Sequence, residues 1–456
     1  MKKVLVLIFF ISSFAQAQFS INGTLTNDIK TDWAILYRIE GAKQKFVTNT
    51  TIKKDTIAIE GKKQTIGTFQ FDLPADAKIG SYRITYRTEA PGFVDFIFNK
   101  ENVSFTFHPD YPEQTTLFSN SDENIIYKNY LSEVSVAQQK LDSLQITALR
   151  NPEVDLKTNY KTTLATINAI QQKYLESSNG MYVQPFIKAT SRSNPSEIKT
   201  NAKEYMQNIN ATFFDNMDFS SKTLINSSFL IDRISDYIFY INYSEDLEQQ
   251  QILYKNAVNK VFTKVKEVVF RKNVIELLIN QFEQSKNLEM VDYLFDNYYN
   301  KLPKSLQNEK YKNEKLSLLA SEVGRIAPDF SWKENGKNYK LSTLNDAKNY
   351  VLIFWSTSCS HCLREIPQLH KFLANKNELK AVAFSLENDE FGWNNMKTTL
   401  PNWHHVLGLN KWENKIARTY NINSTPTYFV LDSDKKIIAK PQDLEKLKAY
   451  LNNLEM

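Results

Sequence analysis

The placement of glycine constrains this chain most. Of its 11 glycines, only Gly180 lies between Gly92 and Gly324. Glycine serves tight turns and positive φ angles, so so long a stretch with one glycine is poorly suited to short, closely turned strands. It predicts helices. Ile126, Tyr130, Val134, Ala137, Leu141 and Leu144 recur at spacings of three and four, one face of a helix. "VNKVFTKVKEVVFRKNVIELLINQF" continues the style. Residues 116–322 are expected to be α-helical.

Before Gly92 the period is two. Trp33, Ile35, Tyr37 and Ile39 alternate with other residues, as do Phe69, Phe71 and Leu73, and Tyr82, Ile84 and Tyr86. Val94, Phe96 and Phe98 are joined by "NKEN" to Val103, Phe105 and Phe107, the pattern of a hairpin. Residues 18–115 are expected to form an antiparallel β-sandwich. After Gly324 strands and helices alternate: "YVLIFW", a helix opening at the cysteines, "LKAVAFSL", two helical stretches, "TYFVL", "KKIIA" and a closing helix. That order predicts an α/β domain over residues 323–456, with a mostly parallel sheet covered on both faces.

Residues 1–17 have the pattern of a secretory signal peptide. Lys2 and Lys3 precede the apolar "VLVLIFFI", and "AQA" ends it. No later stretch approaches the roughly twenty apolar residues of a membrane span. The expectation is an exported, periplasmic chain that does not span the membrane after cleavage. The formal charge is +5 with Lys, Glu and Asp interspersed, which gives no reason to expect nucleic acid as a partner.

Only two cysteines are present, Cys359 and Cys362, so no disulfide framework is available and apolar cores must supply stability. A zinc site would need two further ligands, which the five histidines do not offer at suitable spacing, so no metal is expected. A structural disulfide across two residues would close too short a loop to stabilise much. A redox pair has positive support. The cysteines follow a buried strand and open a helix, where free N–H groups lower a thiol pKa. Cys359 is then the attacking thiolate and Cys362 the resolving thiol, with a Cys359–Cys362 disulfide in the oxidised state. His361, between them, is expected to tune the pair as a donor and, when protonated, as a positive charge.

The C-terminal region resembles the TlpA/ResA-like thioredoxin-fold family of exported thiol-disulfide oxidoreductases. The matching pieces are "APDF" (327–330), "FWSTSCSHC", "REIPQL" and "YNINSTPTYFVLD". The resemblance implies a cis Thr425–Pro426 bond beside the cysteines, with Thr425 and Pro426 aligning substrate. It also implies that Glu365, three residues after Cys362, moves protons. Cytoplasmic thioredoxins often bury an acid on the preceding strand, where this chain has Ile353. Two departures stand out: Ser358 replaces the usual Trp before Cys359, and "DAKNYVL" lacks a Gly-Lys. The front of the chain is more weakly similar to exported proteins of Bacteroidetes-like bacteria, which share the sandwich, helical and thioredoxin-like order.

The activity implied is disulfide reduction in exported partner proteins such as apocytochromes, with electrons from a membrane-bound thiol donor and no cofactor. Oxidase or isomerase activity is the alternative direction. A thiol peroxidase would need Pro and Thr where Leu352 and Ser356 stand. A different class of function, an envelope binding protein whose front section does the work, is kept open by that section's length.

Overall fold

A computed structural model describes residues 17–26, 29–59 and 62–454. The expected signal peptide lies outside the described residues except for Ala17. The chain forms two compact units, residues 1–277 and 278–456.

Among the described residues of the first unit nine strands form two sheets: β1 (Ala17–Thr26), β2 (Trp33–Glu40), β3 (Lys43–Thr51), β4 (Lys53–Ile59), β5 (Lys62–Pro74), β6 (Gly80–Thr85), β7 (Phe93–Phe98), β8 (Val103–Phe107) and β9 (Leu117–Asn120). Their orders are β4-β5-β1-β8-β9 and β3-β2-β6-β7. Pairing is antiparallel except between β1 and β8, which run parallel. Phe71, Ile84, Phe96, Phe105 and Phe107 share one buried core. Gly23 permits one close approach there, since a Cβ would lie 2.0 Å from the Phe69 ring.

Two expectations are corrected. β7 and β8 are not a hairpin, because they belong to different sheets. Alternation alone cannot separate a hairpin from an arch, as both direct the same residues to the core. Here Phe96 and Phe105 meet within that core, ring centroids 6.2 Å apart. In β2 the buried positions are Ala34, Leu36 and Ile39 rather than the Trp33, Ile35 and Tyr37 set. Trp33, Ile35 and Tyr37 lie on the other face and are half-buried; against β3 the register shifts between Leu36 and Tyr37, where Val47 of β3 is the extra residue.

The helical expectation holds for the long helix Asp122–Arg150, which buries Tyr130, Ala137 and Leu141. The later apolar stretch falls in two helices, Leu247–Lys264 and Val268–Gln284. Helices Leu288–Asn297 and Glu309–Leu319 lie in the second unit. Arg325 holds Asp292 through two bonds of 2.6 and 2.8 Å, and Ser321 Oγ donates to Tyr420 O at 2.9 Å.

The second unit has a thioredoxin-like sheet. A hairpin of β10 (Ser331–Glu334) and β11 (Lys337–Lys340) precedes β12 (Asn349–Trp355), β13 (Leu379–Glu387), β14 (His404–Leu409), β15 (Thr427–Leu431) and β16 (Ile437–Ala439). The order β14-β13-β12-β15-β16 is mixed, not mostly parallel: β12, β13 and β14 run parallel, while β15 and β16 pair antiparallel. β12 reads as an unbroken apolar run because each of its faces meets a separate core. Leu352 and Phe354 join one, Val351, Ile353 and Trp355 the other. Its central, doubly covered position fixes where the following cysteines emerge.

Phe105→Ala should destabilise the first unit by about 3–5 kcal/mol, the usual cost of emptying a core aromatic site. Phe93→Ala, at a position 41% exposed, should cost less than about 1 kcal/mol. Urea unfolding of both full-length variants compares them directly.

Candidate functional site

The site begins where β12 ends. Trp355 is wholly buried in the core, and the chain then turns through Ser356, Thr357 and Ser358 into helix Ser360–Leu373. Cys359 occupies the N-cap of that helix, its sulfur accepting the N–H of Cys362 at 3.3 Å. A sulfur in that position meets N–H groups left unpaired by the helix start. Cys359 is partly exposed and Cys362 wholly buried, and both are free thiols.

The two titrate differently. Partial burial would raise the Cys359 thiol, but hydrogen bonds from Cys362, Thr425 and the Cys362 and His361 backbone outweigh it and hold the thiol below its ordinary value. Burial pushes Cys362 up to about 12, reinforced by its bond to Cys359. One thiol is set up to ionise and attack, while the other keeps its proton.

The Thr425–Pro426 bond is cis, and Thr425 O lies 3.3 Å from Cys359 Sγ. Glu365, one turn beyond Cys362, accepts a 3.0 Å bond from Tyr428 Oη. Tyr428 sits directly opposite Ile353 across the β12–β15 pair. Burial, followed by the Glu365 carboxylate and the two cysteines, raises the Tyr428 hydroxyl pKa, so it remains a donor. The structure thus brings together Cys359, Cys362, Thr425 and Pro426, with Glu365 on the same helix.

His361 differs from expectation. Its ring is exposed and bonds Arg364 Nη2 at 2.9 Å. Arginine can only donate, so His361 Nδ1 accepts and carries no proton in this arrangement. The influence of His361 on Cys359 comes through its backbone N–H. His404 and His405, on opposite faces of β14, are structural. His404 bridges Glu334 (3.1 Å) and Asp346 (3.0 Å), and the His405 ring contacts Leu400 O (2.9 Å). Among the described residues, no group of three or more His, Cys, Asp or Glu is arranged to hold a metal, and no helix is long and apolar enough to cross a membrane.

Sequence reasoning missed Glu387 at the end of β13. Its carboxylate is 5% exposed and accepts from Thr357 N (2.6 Å), Thr357 Oγ1 (2.9 Å), Ser385 Oγ (2.6 Å) and Ser356 Oγ (3.4 Å). Ser356 O in turn accepts the Cys359 N–H at 3.2 Å. Glu387 therefore pins the turn that presents the nucleophilic position. Lys411 reaches the same turn, donating to Ser358 Oγ at 3.1 Å. Ser358 makes this surface polar, its Oγ also lying 2.9 Å from Ser356 Oγ.

A thioredoxin-type sheet, a cysteine pair at a helix N-terminus and an adjacent cis-proline define a thiol-disulfide oxidoreductase domain. Residues 322–454 match the redoxin family (Redoxin). The chain is 28% identical over 143 residues to the thiol-disulfide oxidoreductase ResA of Bacillus anthracis, covering 29% of this chain and 79% of that protein. It is likewise 28% identical over 145 residues to ResA of Oceanobacillus iheyensis, with 29% and 72% covered. Among solved structures, a domain of a possible thiol-disulfide isomerase from Cytophaga hutchinsonii superimposes with a TM-score of 0.26 at 28% identity, covering 29% of this chain and 93% of that one. A thioredoxin-like protein from Bacteroides caccae gives a TM-score of 0.27 at 17% identity, covering 58% and 98%. The C-terminal domain is a ResA/TlpA-like thioredoxin-fold domain, and it is an enzyme of thiol-disulfide exchange.

In the reduced protein, iodoacetamide near pH 7–8 should label Cys359 alone, with a rate midpoint below the ordinary thiol value of about 8.5. Mass spectrometry that finds both cysteines labelled equally would contradict the asymmetry. Glu387→Ala should lower the stability of the second unit by about 1–3 kcal/mol, since it strands the Thr357 N–H. Thermal unfolding of the reduced protein checks this.

Proposed function

We propose that the protein is an exported, periplasmic oxidoreductase whose Cys-Ser-His-Cys pair reduces disulfides in partner proteins, exported apocytochromes being one such class. The observation that carries this reading is the asymmetric pair: Cys359 is accessible and acidified at the helix N-terminus, while Cys362 is buried with its pKa pushed up to about 12. The leader-like residues 1–17 support export.

Cys359 thiolate attacks one sulfur of a partner disulfide. A Cys359–partner S–S bond forms, the partner's S–S bond breaks, and its second sulfur leaves as thiolate. Thr425 O, next to Cys359 Sγ, is placed to pair with the partner's backbone during this step, and Pro426 holds that peptide in position. Cys362 must then lose its proton before it attacks Cys359. Glu365 is the base, oriented by Tyr428. Attack gives the Cys359–Cys362 disulfide and releases the partner as a dithiol. A membrane-bound thiol donor returns two electrons and completes the cycle.

Glu365→Gln should slow resolution by about a hundredfold, within the usual contribution of a positioned base. The pH–rate profile of the variant should differ in shape from that of the wild type, since solvent base must then take the Cys362 proton. A stopped-flow pH–rate profile that is unchanged in the variant would remove Glu365 from the mechanism. In cells, Cys362→Ser should accumulate mixed disulfides with exported proteins and Cys359→Ser should accumulate none. Trapping exclusively cytoplasmic proteins would count against an exported reductase.

A further inference from the structure

The first unit contains a partly closed sheet edge. β7 is an outer strand of the four-stranded sheet. Tyr86 N–H donates to Gly92 O at 3.0 Å, which sets the phase of the β6–β7 ladder. Two residues along on each strand, Ile84 with Val94 and Tyr82 with Phe96 are then the hydrogen-bonded pairs. The peptide groups of Phe93, Asp95 and Ile97 consequently point away from β6. At Ile97 a side chain stands in for a strand. Ile97 N–H donates to Asn124 Oδ1 at 2.8 Å, and Asn124 Nδ2 donates to Ile97 O at 2.7 Å. That is the two-bond exchange an adjacent strand residue makes. No equivalent partner stands opposite Phe93 or Asp95 among the described residues.

Beside these two positions opens a cavity of about 580 Å³, walled in part by Phe118 and Leu131. Arg83 forms one side, stacked 3.7 Å over the Phe93 ring and bonded to both Asp95 oxygens at 2.7 Å. Around the cavity the carboxylates of Asp95, Glu113 and Asp232 outnumber the cations Arg83 and Lys128. Two open donor–acceptor pairs, two residues apart, match the repeat of an extended backbone, roughly 6.6 Å. A small molecule has no reason to carry that repeat.

We propose that the β7 edge binds an extended, lysine- or arginine-containing segment of an exported client polypeptide by strand addition. The segment pairs with Phe93 and Asp95, ends against Asn124, places an apolar side chain in the cavity and turns a basic one to the carboxylates. The front section has no cysteine and cannot join thiol exchange, so it contributes by holding clients. That benefit rests on the oxidoreductase reading, but the binding itself does not.

The test uses the full-length protein and a fluorescein-labelled, cysteine-free peptide, Thr-Val-Lys-Val-Thr-Phe-Lys-Thr, followed by fluorescence anisotropy. Because the peptide has no disulfide, failure here leaves the redox chemistry untouched. Three losses of about tenfold or more are expected: on N-methylating alternate amides of the peptide, on replacing its lysines with glutamates, and in Asp95→Pro, which removes an edge N–H where proline is tolerated. If Asp95→Pro unfolds, the methylated peptide on the unaltered protein decides. Equal binding of methylated and parent peptides would overturn strand addition. So would an absence of saturable binding up to ~1 mM, or a dimer in sedimentation that Asp95→Pro dissociates, since a second copy would then fill the edge.

Discussion

The C-terminal chemistry depends on one contact, the Cys362 N–H bonded to Cys359 Sγ at the first turn of helix Ser360–Leu373. It exists because β12 delivers the chain to that point. β12 is paired on both sides and apolar on both faces, so it has little freedom to shift. Glu387 then fixes the three-residue turn between strand and helix. The nucleophile is soft and reactive, but everything behind it is rigid. Without that rigidity the helix N-terminus could not meet the sulfur in a defined geometry, and the acidification of Cys359 would be lost.

How much of this was legible in the sequence depended on the range of the interaction. Local signals were readable. The continuous run 350–355, the helix opening at Cys359 and the i+3 spacing of Glu365 all follow from neighbours in sequence. Alternation also gave the buried set in β5–β8, yet it misassigned β2, where the large Trp33, Ile35 and Tyr37 are only half-buried and the inward positions are Ala34 and Leu36. It also could not show that β7 and β8 enter different sheets, as parity is conserved across an arch. Strand direction was likewise hidden, and the sheet proved mixed because β15 returns antiparallel. Glu387 was invisible for a simpler reason. Its partners in the turn, Ser356 and Thr357, lie 31 and 30 residues away, and an acidic residue ending a strand normally reads as solvated surface.

The proton route illustrates how one missing group is met by another. Ile353 leaves no acid on β12, but its cross-strand neighbour Tyr428 reaches Glu365. A phenol on the sheet thus fixes a carboxylate on the helix that opens at the cysteines. Glu365 itself remains partly exposed, with 19% side-chain exposure.

The Cys359 acidity bears on the redox poise of the pair by linkage. A thiol with a depressed pKa stabilises the reduced protein relative to a model thiol. That stabilisation begins as pH rises through the lowered Cys359 value and is complete above the ordinary value, about 8.5. It disappears on acidification, when both thiols are protonated. Each unit of depression is worth about 1.4 kcal/mol, or roughly 30 mV toward a more oxidising pair. Cys362 adds nothing to this effect near neutrality, since its pKa is pushed up to about 12 and it stays protonated in either reference. The His361 ring contributes no fixed positive charge while its Nδ1 accepts from Arg364. The groups that lower the Cys359 thiol most are neutral hydrogen-bonding ones, led by Cys362 and Thr425. Such donors acidify a thiol enough to make it a ready nucleophile, but they lack the additional stabilisation that a paired cation gives a strong oxidant.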